Sequence, residues 1–312
     1  MSNPHKHHYL PVFYLSRWAG EDGMVCRFSR PQGPAVKTKR IVPKGTAYEP
    51  GLYSINGLPK DQAPVMERDF MVPLDSRAAA ALKLLDNELP DSQWPANRRS
   101  DWTRFVWSLP LRNPREIQQL KTNVKEAWAE TTPGLQEHYD ALRTPTDPLT
   151  VDEYLAQLDP QHEDRFALQI ARRLMDHSGI GGLINNMHWS VLRFDGCGIR
   201  LLTSDHPVRM PAAFDQAASF LTMPISPTQL FVAAREYPVL EELKGRKRRQ
   251  HAKDVNKLTV MHATDFVYGV DDHMLTFVQK HMATRRHSTA FERLAVLRNH
   301  TILDKSSPAA KQ

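Results

Sequence analysis

Four side chains carry most of the chemistry on offer: His8, Arg112, Asp205 and His206. Asp205 and His206 stand in the run Thr203-Ser204-Asp205-His206-Pro207, where Pro207 keeps the residue before it out of helix. A carboxylate and an imidazole at the end of a strand suit a general base with its partner, or two ligands of one metal ion. His8 offers a further ligand. It leads into Tyr9, Leu10, Pro11, Phe13, Tyr14, Leu15 and Trp18, a run too apolar to stay in water, so His8 is tethered to the fold. His5 and His7, which share one face of an extended segment, read as an exposed, frayed terminus. Arg112 lies in Leu111-Arg112-Asn113-Pro114, between two helices, and a guanidinium there can grip a phosphate or carboxylate with two parallel bonds. Taken together, the set points to metal-assisted hydrolysis of a phosphodiester. His8 and Asp205 would hold a divalent metal, and Asp205, His206 and Arg112 would be the catalytic residues.

Each residue also has a plainer role. Ser204 or Asp205 can cap the amides of a turn, His8 can bond to Asp205, and Arg112 can neutralise a buried carboxylate. A separate feature is the basic run Lys244, Arg246, Lys247, Arg248, Arg249, His251 and Lys253. Arg246, Lys247, Arg248 and Arg249 are its candidate contacts to phosphates, and the alternative function is non-enzymatic binding of nucleic acid or another acidic partner. No aromatic residue interleaves the run, which weakens a base-stacking surface. There is no Walker phosphate loop, no GxGxxG, no HExxH, no GxSxG and no CxxC, so the chemistries those motifs serve are disfavoured.

The elements that must position these residues fall into two blocks. Early on, residues 24–29 and 35–42 read as a strand pair across Pro31-Gln32-Gly33-Pro34, followed by a Pro- and Gly-rich excursion over 43–64. The middle is helical. Asp75 can cap a helix whose buried face is Ala78, Ala81, Leu82 and Leu85. Trp102, Phe105, Val106 and Leu109 form the next stripe, which Pro110 should end or kink. Asn113, Pro114 and Glu116 mark the start of another helix, with Ile117, Leu120, Val124 and Trp128 inward. A further amphipathic helix stacks Phe166, Ile170 and Leu174 beside Ala167, Ala171 and Met175, and Gly179, Gly181 and Gly182 should terminate it.

Past Met187 the pattern turns to strands. Residues 188–194 and 199–203 flank Asp195-Gly196-Cys197-Gly198 as a hairpin, and 219–223, 229–234 and 266–270 are further strands. A basic helix over 246–262 separates the last two. The expected fold is α+β, a helical middle block packed on a mostly antiparallel sheet from the C-terminal half. It forms one domain over 1–303, with a frayed tail over 304–312.

Length and composition fit that reading. The 312 residues are 41% hydrophobic and 24% charged, ordinary values for a globular chain. No apolar run approaches the roughly 18–20 residues of a membrane span. With 41 basic against 35 acidic residues the net charge is +6, which permits an acidic partner without requiring one. Two cysteines make no disulfide framework, and the polar start lacks a signal peptide's apolar stretch, so a cytoplasmic location is expected.

Several of these residues together resemble the bacterial domain of unknown function 4238 family. The opening His8-Tyr9-Leu10-Pro11 with Tyr14-Leu15 and Trp18 is similar to the family's start. Arg112-Asn113-Pro114 after an apolar helix, Ser204-Asp205-His206-Pro207 at a strand end and Pro224-Ile225-Ser226-Pro227 before a strand follow in the family's order. Asn256 and the strand at 266–268 also agree. The resemblance spans residues 6–270. His206 stands where the family more often has Asn, Trp18 where Phe is usual, and Asn113 where a small hydroxyl residue is common. The resemblance implies one domain over that span and carries no activity with it.

Overall fold

The apolar spacing of the middle block finds its burial. Trp102, Phe105, Val106 and Leu109 are each at most 1% exposed, and Ala78, Ala81, Leu82 and Leu85 are buried with them. The computed structural model describes residues 6–55, 65–87, 93–129, 133–158, 161–211 and 216–282. The expectations for His5, the side chain of Trp128 and the tail at 304–312 lie outside the described residues.

In chain order the elements are β1 (Lys6–His8), α1 (Val12–Leu15), β2 (Val25–Ser29), β3 (Lys37–Ile41) and β4 (Tyr48–Pro50). The helical block follows as α2 (Val72–Asp86), α3 (Ala96–Leu111), α4 (Pro114–Ala129), α5 (Pro133–Leu142), α6 (Val151–Gln157), α7 (His162–Met175) and α8 (Ser178–Asn185). Then come β5 (His188–Arg193), β6 (Thr203–Ser204), β7 (Phe220–Ser226), β8 (Gln229–Ala234), α9 (Tyr237–Gly245), α10 (Arg248–His262), β9 (Val267–Gly269) and α11 (Leu275–His281). Every strand pairing is antiparallel, and the fold is α+β. No helix among the described residues is long and apolar enough to cross a membrane.

The strands form two sheets and a ribbon: β3-β2-β9-β6, β5-β8-β7, and β1 with β4. The first sheet joins the N-terminal hairpin, Val25 opposite Ile41, to two strands from the far end of the chain. Helices cover the second sheet, where the Trp102 and Trp189 rings both meet Phe231 edge-on, 5.6 and 5.1 Å between ring centres. One cluster of buried apolar side chains runs from Tyr9 to Tyr268 and ties both sheets to α2, α3, α4 and α7.

Four local expectations are corrected. The helix expected to start at Asp75 begins at Val72, after a π-helical turn over Glu67–Met71, and Asp75 pairs with Arg112 instead of capping. The buried face of α7 is Ala167, Leu168, Ala171 and Met175, while Phe166 is 39% exposed. Gly179, Gly181 and Gly182 do not end a helix but build α8, which the His177 ring caps at the Ile180 amide. Residues 199–202 make no strand against β5. β5 pairs with β8, and β6 crosses to β9 of the other sheet. The basic helix expected over 246–262 is found as α10, opening at Arg248, and Lys244 of the basic run lies before it on α9.

Candidate functional site

Strand β2 carries one charged side chain, Arg27. Its alternation sends Cys26 and Phe28 into a core with Val260, Val267 and Val278, and turns Val25 and Arg27 to the opposite face. Arg27 lies opposite Tyr268 of β9. On this face a cavity of about 890 Å³ opens. Tyr9, Tyr48 and Phe266 give it aromatic walls, Asn113 and Pro114 bring the start of α4 to its edge, and Glu49 and Asp265 place carboxylates around it.

Arg27 is the notable group. Its guanidinium carbon lies 4.8 Å from the centre of the Phe266 ring. Its buried Nε has no partner, and among the described residues the side chain makes no hydrogen bond or ion pair. Of its five donors the one at Nε is buried and unmet, which is unfavourable, while those at Nη1 and Nη2 stay accessible to an acceptor in the cavity. The neighbouring cations are occupied: Arg30 donates to the Met282 and Gln279 carbonyls at 2.9 and 3.0 Å. Of the acids, Asp265 holds Arg115 at 2.7 Å, while Glu49 is exposed and has no partner among the described residues.

Tyr9 is fixed in the cavity wall. It is 5% exposed, and its hydroxyl donates to that of Tyr268, which also meets Thr46 at 3.0 Å. Burial, with Tyr268, Asp205 and Asp265 nearby, holds the Tyr9 phenol far above the usual tyrosine range, so it stays a neutral donor.

Asp205 forms part of the same wall, but its carboxylate faces the backbone. Oδ1 accepts the Thr264 amide at 2.9 Å, and Oδ2 accepts those of Asp265 and Phe266 at 2.6 and 3.1 Å. The side chain clamps the turn that carries α10 into β9. Burial pushes its pKa up to about 6, against the pull of these three donors. His206 donates its amide to the Ser204 hydroxyl at 3.2 Å, the turn expected of that motif. Asn113 joins the two sequence motifs. Its side-chain nitrogen donates to the Asp205 carbonyl at 3.4 Å and lies 3.3 Å from His206 Nε2, while its oxygen caps α4 at the Arg115 amide.

His8 and Asp205 are not brought together as a pair. No hydrogen bond or ion pair joins them, and the His8 ring leans on Tyr48 at 5.5 Å and donates to the Lys44 carbonyl. Burial holds His8 below its ordinary pKa. No group of three or more His, Cys, Asp and Glu side chains among the described residues is arranged to hold a metal ion. His7, expected at an exposed end, is fully buried. It stacks on Tyr53 with ring centres 5.5 Å apart and accepts the Tyr53 amide at 2.9 Å.

Arg112 turns away from the cavity into the core. It has no exposed surface, pairs with Asp75 at 2.9 Å, lies over the Phe105 ring and takes a bond from the Tyr53 hydroxyl on its carbonyl. Its expected grip on a ligand is replaced by a grip on Asp75. Glu67 stands beside this pair. Burial pushes its pKa up to about 7, with Asp75 adding and Arg112 opposing. A carboxylate raised above its unfolded value contributes stability that is present below about 4.5 and lost as the pH rises through about 7. Glu67→Gln should therefore stabilise the fold at pH 8 by on the order of 2 kcal/mol more than at pH 4.5. Urea unfolding at both pH values checks this, and an equal change at the two would contradict it.

Of the basic run, Lys244 and Arg246 pair with Glu241 and Glu242 at 3.0 and 2.8 Å, and Arg249 reaches the Cys197 carbonyl at 3.2 Å. Lys247 and Arg248 are exposed and have no partner among the described residues. Sequence reasoning missed Arg27, Glu49 and Tyr48. Only Arg27 left a signal, as the lone charge in its strand.

Comparison with known proteins gives one result. A family described as Protein of unknown function (DUF4238) matches residues 6–273, and the chain belongs to that family. No curated protein matches it, and neither does any solved structure.

Proposed function

We propose, since the family brings no described activity, that the cavity over Arg27 binds a phosphodiester and that the protein hydrolyses it. The observation that carries this reading is the Arg27 guanidinium, without a hydrogen bond or ion pair among the described residues, in the lining of a cavity of about 890 Å³. One free cation ringed by carboxylates suits a singly charged anion better than a doubly charged one. The aromatic walls suit flat groups attached to it.

In the proposed reaction a water oxygen bonds to phosphorus and one ester P–O bond breaks, leaving a phosphomonoester and an alcohol. Arg27 offsets the charge on the non-bridging oxygens. Glu49 takes the water's proton, and the departing alkoxide oxygen receives it from Glu49 as the alcohol leaves. Asp205 holds the 264–266 turn that shapes the wall, and Asn113 positions His206 beside it. A divalent ion, if the reaction uses one, would have to draw on the outward carboxylates Glu49 and Asp265, because both Asp205 oxygens are already occupied. A cytoplasmic location belongs to the same proposal, in keeping with two free cysteines.

The test is turnover of bis(p-nitrophenyl) phosphate, with and without Mg²⁺ or Mn²⁺. Hydrolysis should fall at least 100-fold in Glu49→Gln, through kcat with little change in KM. Turnover equal to the wild type would reject Glu49 as the base, and no turnover by the wild type under any of these conditions would reject the hydrolase.

A further inference from the structure

A second cavity, of about 340 Å³, lies between β5, the end of α9 and the start of α10. Its polar lining is Ser190, Arg193, Lys244, Arg246, Arg248 and His251, with no carboxylate among them. Helix α10 is 15 residues long and begins without a capping side chain and with no acid in its first turn. Arg248 and Arg249 sit instead at this positive end of the helix dipole, an unfavourable arrangement until an anion joins it.

His251 supplies an independent observation. It is 5% exposed, faces this cavity one turn beyond Arg248, and its ring nitrogens have no hydrogen-bond partner. Only its ring edge is engaged, against Phe194 at 5.6 Å. The ring is buried in its body while its unpartnered nitrogens remain accessible on the cavity side, at an uncapped helix start, where they can meet an acceptor. Arg248 has no partner, and the pairs that hold Lys244 and Arg246 are exposed ones that yield readily to a competing anion.

We infer that this cavity binds the phosphate group of a small phosphorylated ligand, held by the first-turn amides of α10, Arg248 and His251. This goes beyond the Arg27 cavity and needs no residue of it. A doubly charged phosphate fits here, where every charged lining group is basic. A nucleic-acid strand fits less well, because the basic residues converge on one small cavity and Glu241 and Glu242 stand exposed just beside it.

The test is calorimetric titration of the full chain with inorganic phosphate and with pyrophosphate, and with a single-stranded 12-nucleotide DNA as competitor. Saturable binding should weaken at least tenfold in Arg248→Gln and in His251→Phe, stay intact in Arg27→Met, and resist the DNA. Arg248 is exposed, so its variant folds and keeps the test decisive should His251→Phe not fold. An NMR shift of the His251 ring on adding phosphate would place the ligand beside it. Absence of saturable binding, or binding unchanged in Arg248→Gln, would overturn the inference. So would DNA displacing the phosphate, which would mark the patch as a general nucleic-acid surface.

Discussion

Arg112→Met should destabilise the protein by about 3–5 kcal/mol, the effect of stranding one member of a buried ion pair. Arg112 has no exposed surface and Asp75 only 22%, so water cannot replace the lost partner in full. The Tyr53 hydroxyl still has the backbone carbonyl of residue 112, so the damage centres on Asp75. Removing the acid as well, in Arg112→Met with Asp75→Leu, should recover most of the loss, because replacing both charges avoids a lone one. Urea unfolding of the single and double variants measures this. A single variant as stable as the wild type would return Arg112 to the role of a ligand-holding residue.

Asp205→Ala should also destabilise strongly, by about 3 kcal/mol or more, because three amides lose their acceptor together. The sign separates two roles for this residue. A carboxylate held in readiness for a metal or substrate is strained in the free protein, and its removal leaves stability unchanged or raised. One that clamps a turn is missed at once. Asp205→Asn keeps a single acceptor oxygen and should fall between the wild type and the alanine variant. Thermal melting without added metal decides the matter, and a raised melting temperature in Asp205→Ala would show that the carboxylate serves a ligand.

The helical block was legible because its signals are local. The stripe of Trp102, Phe105, Val106 and Leu109 and the cap at Asn113 are patterns within one or two turns, and each is found in place. The hairpin of β2 and β3 was legible for the same reason. Strand partners separated by long stretches of chain were not. Nothing near residues 199–204 indicates that β6 will pair with β9, more than 60 residues on, because that choice is made by the packing of whole sheets.

The site was legible by halves. The motifs at 112–114 and 204–207 do meet, through Asn113, yet the two charged residues chosen from them are taken up by the fold. Asp205 is consumed by amides of residues 264–266 and Arg112 by Asp75, partners 59 to 61 and 37 positions away that no spacing rule announces. Arg27 is conspicuous for the opposite reason, since its lack of a partner is visible only when all its neighbours are known.

The most direct test of the account is therefore whether Arg27 holds the ligand. A dinucleoside monophosphate, titrated calorimetrically into the wild type and into Arg27→Met, should bind the variant about 10- to 100-fold more weakly, the worth of a charge-assisted hydrogen bond to phosphate. The variant should be close to the wild type in stability, because Arg27 has no hydrogen bond or ion pair to lose and Met can still pack on Phe266. Equal affinity in the two proteins would contradict the account and remove the cavity over Arg27 from consideration as the site.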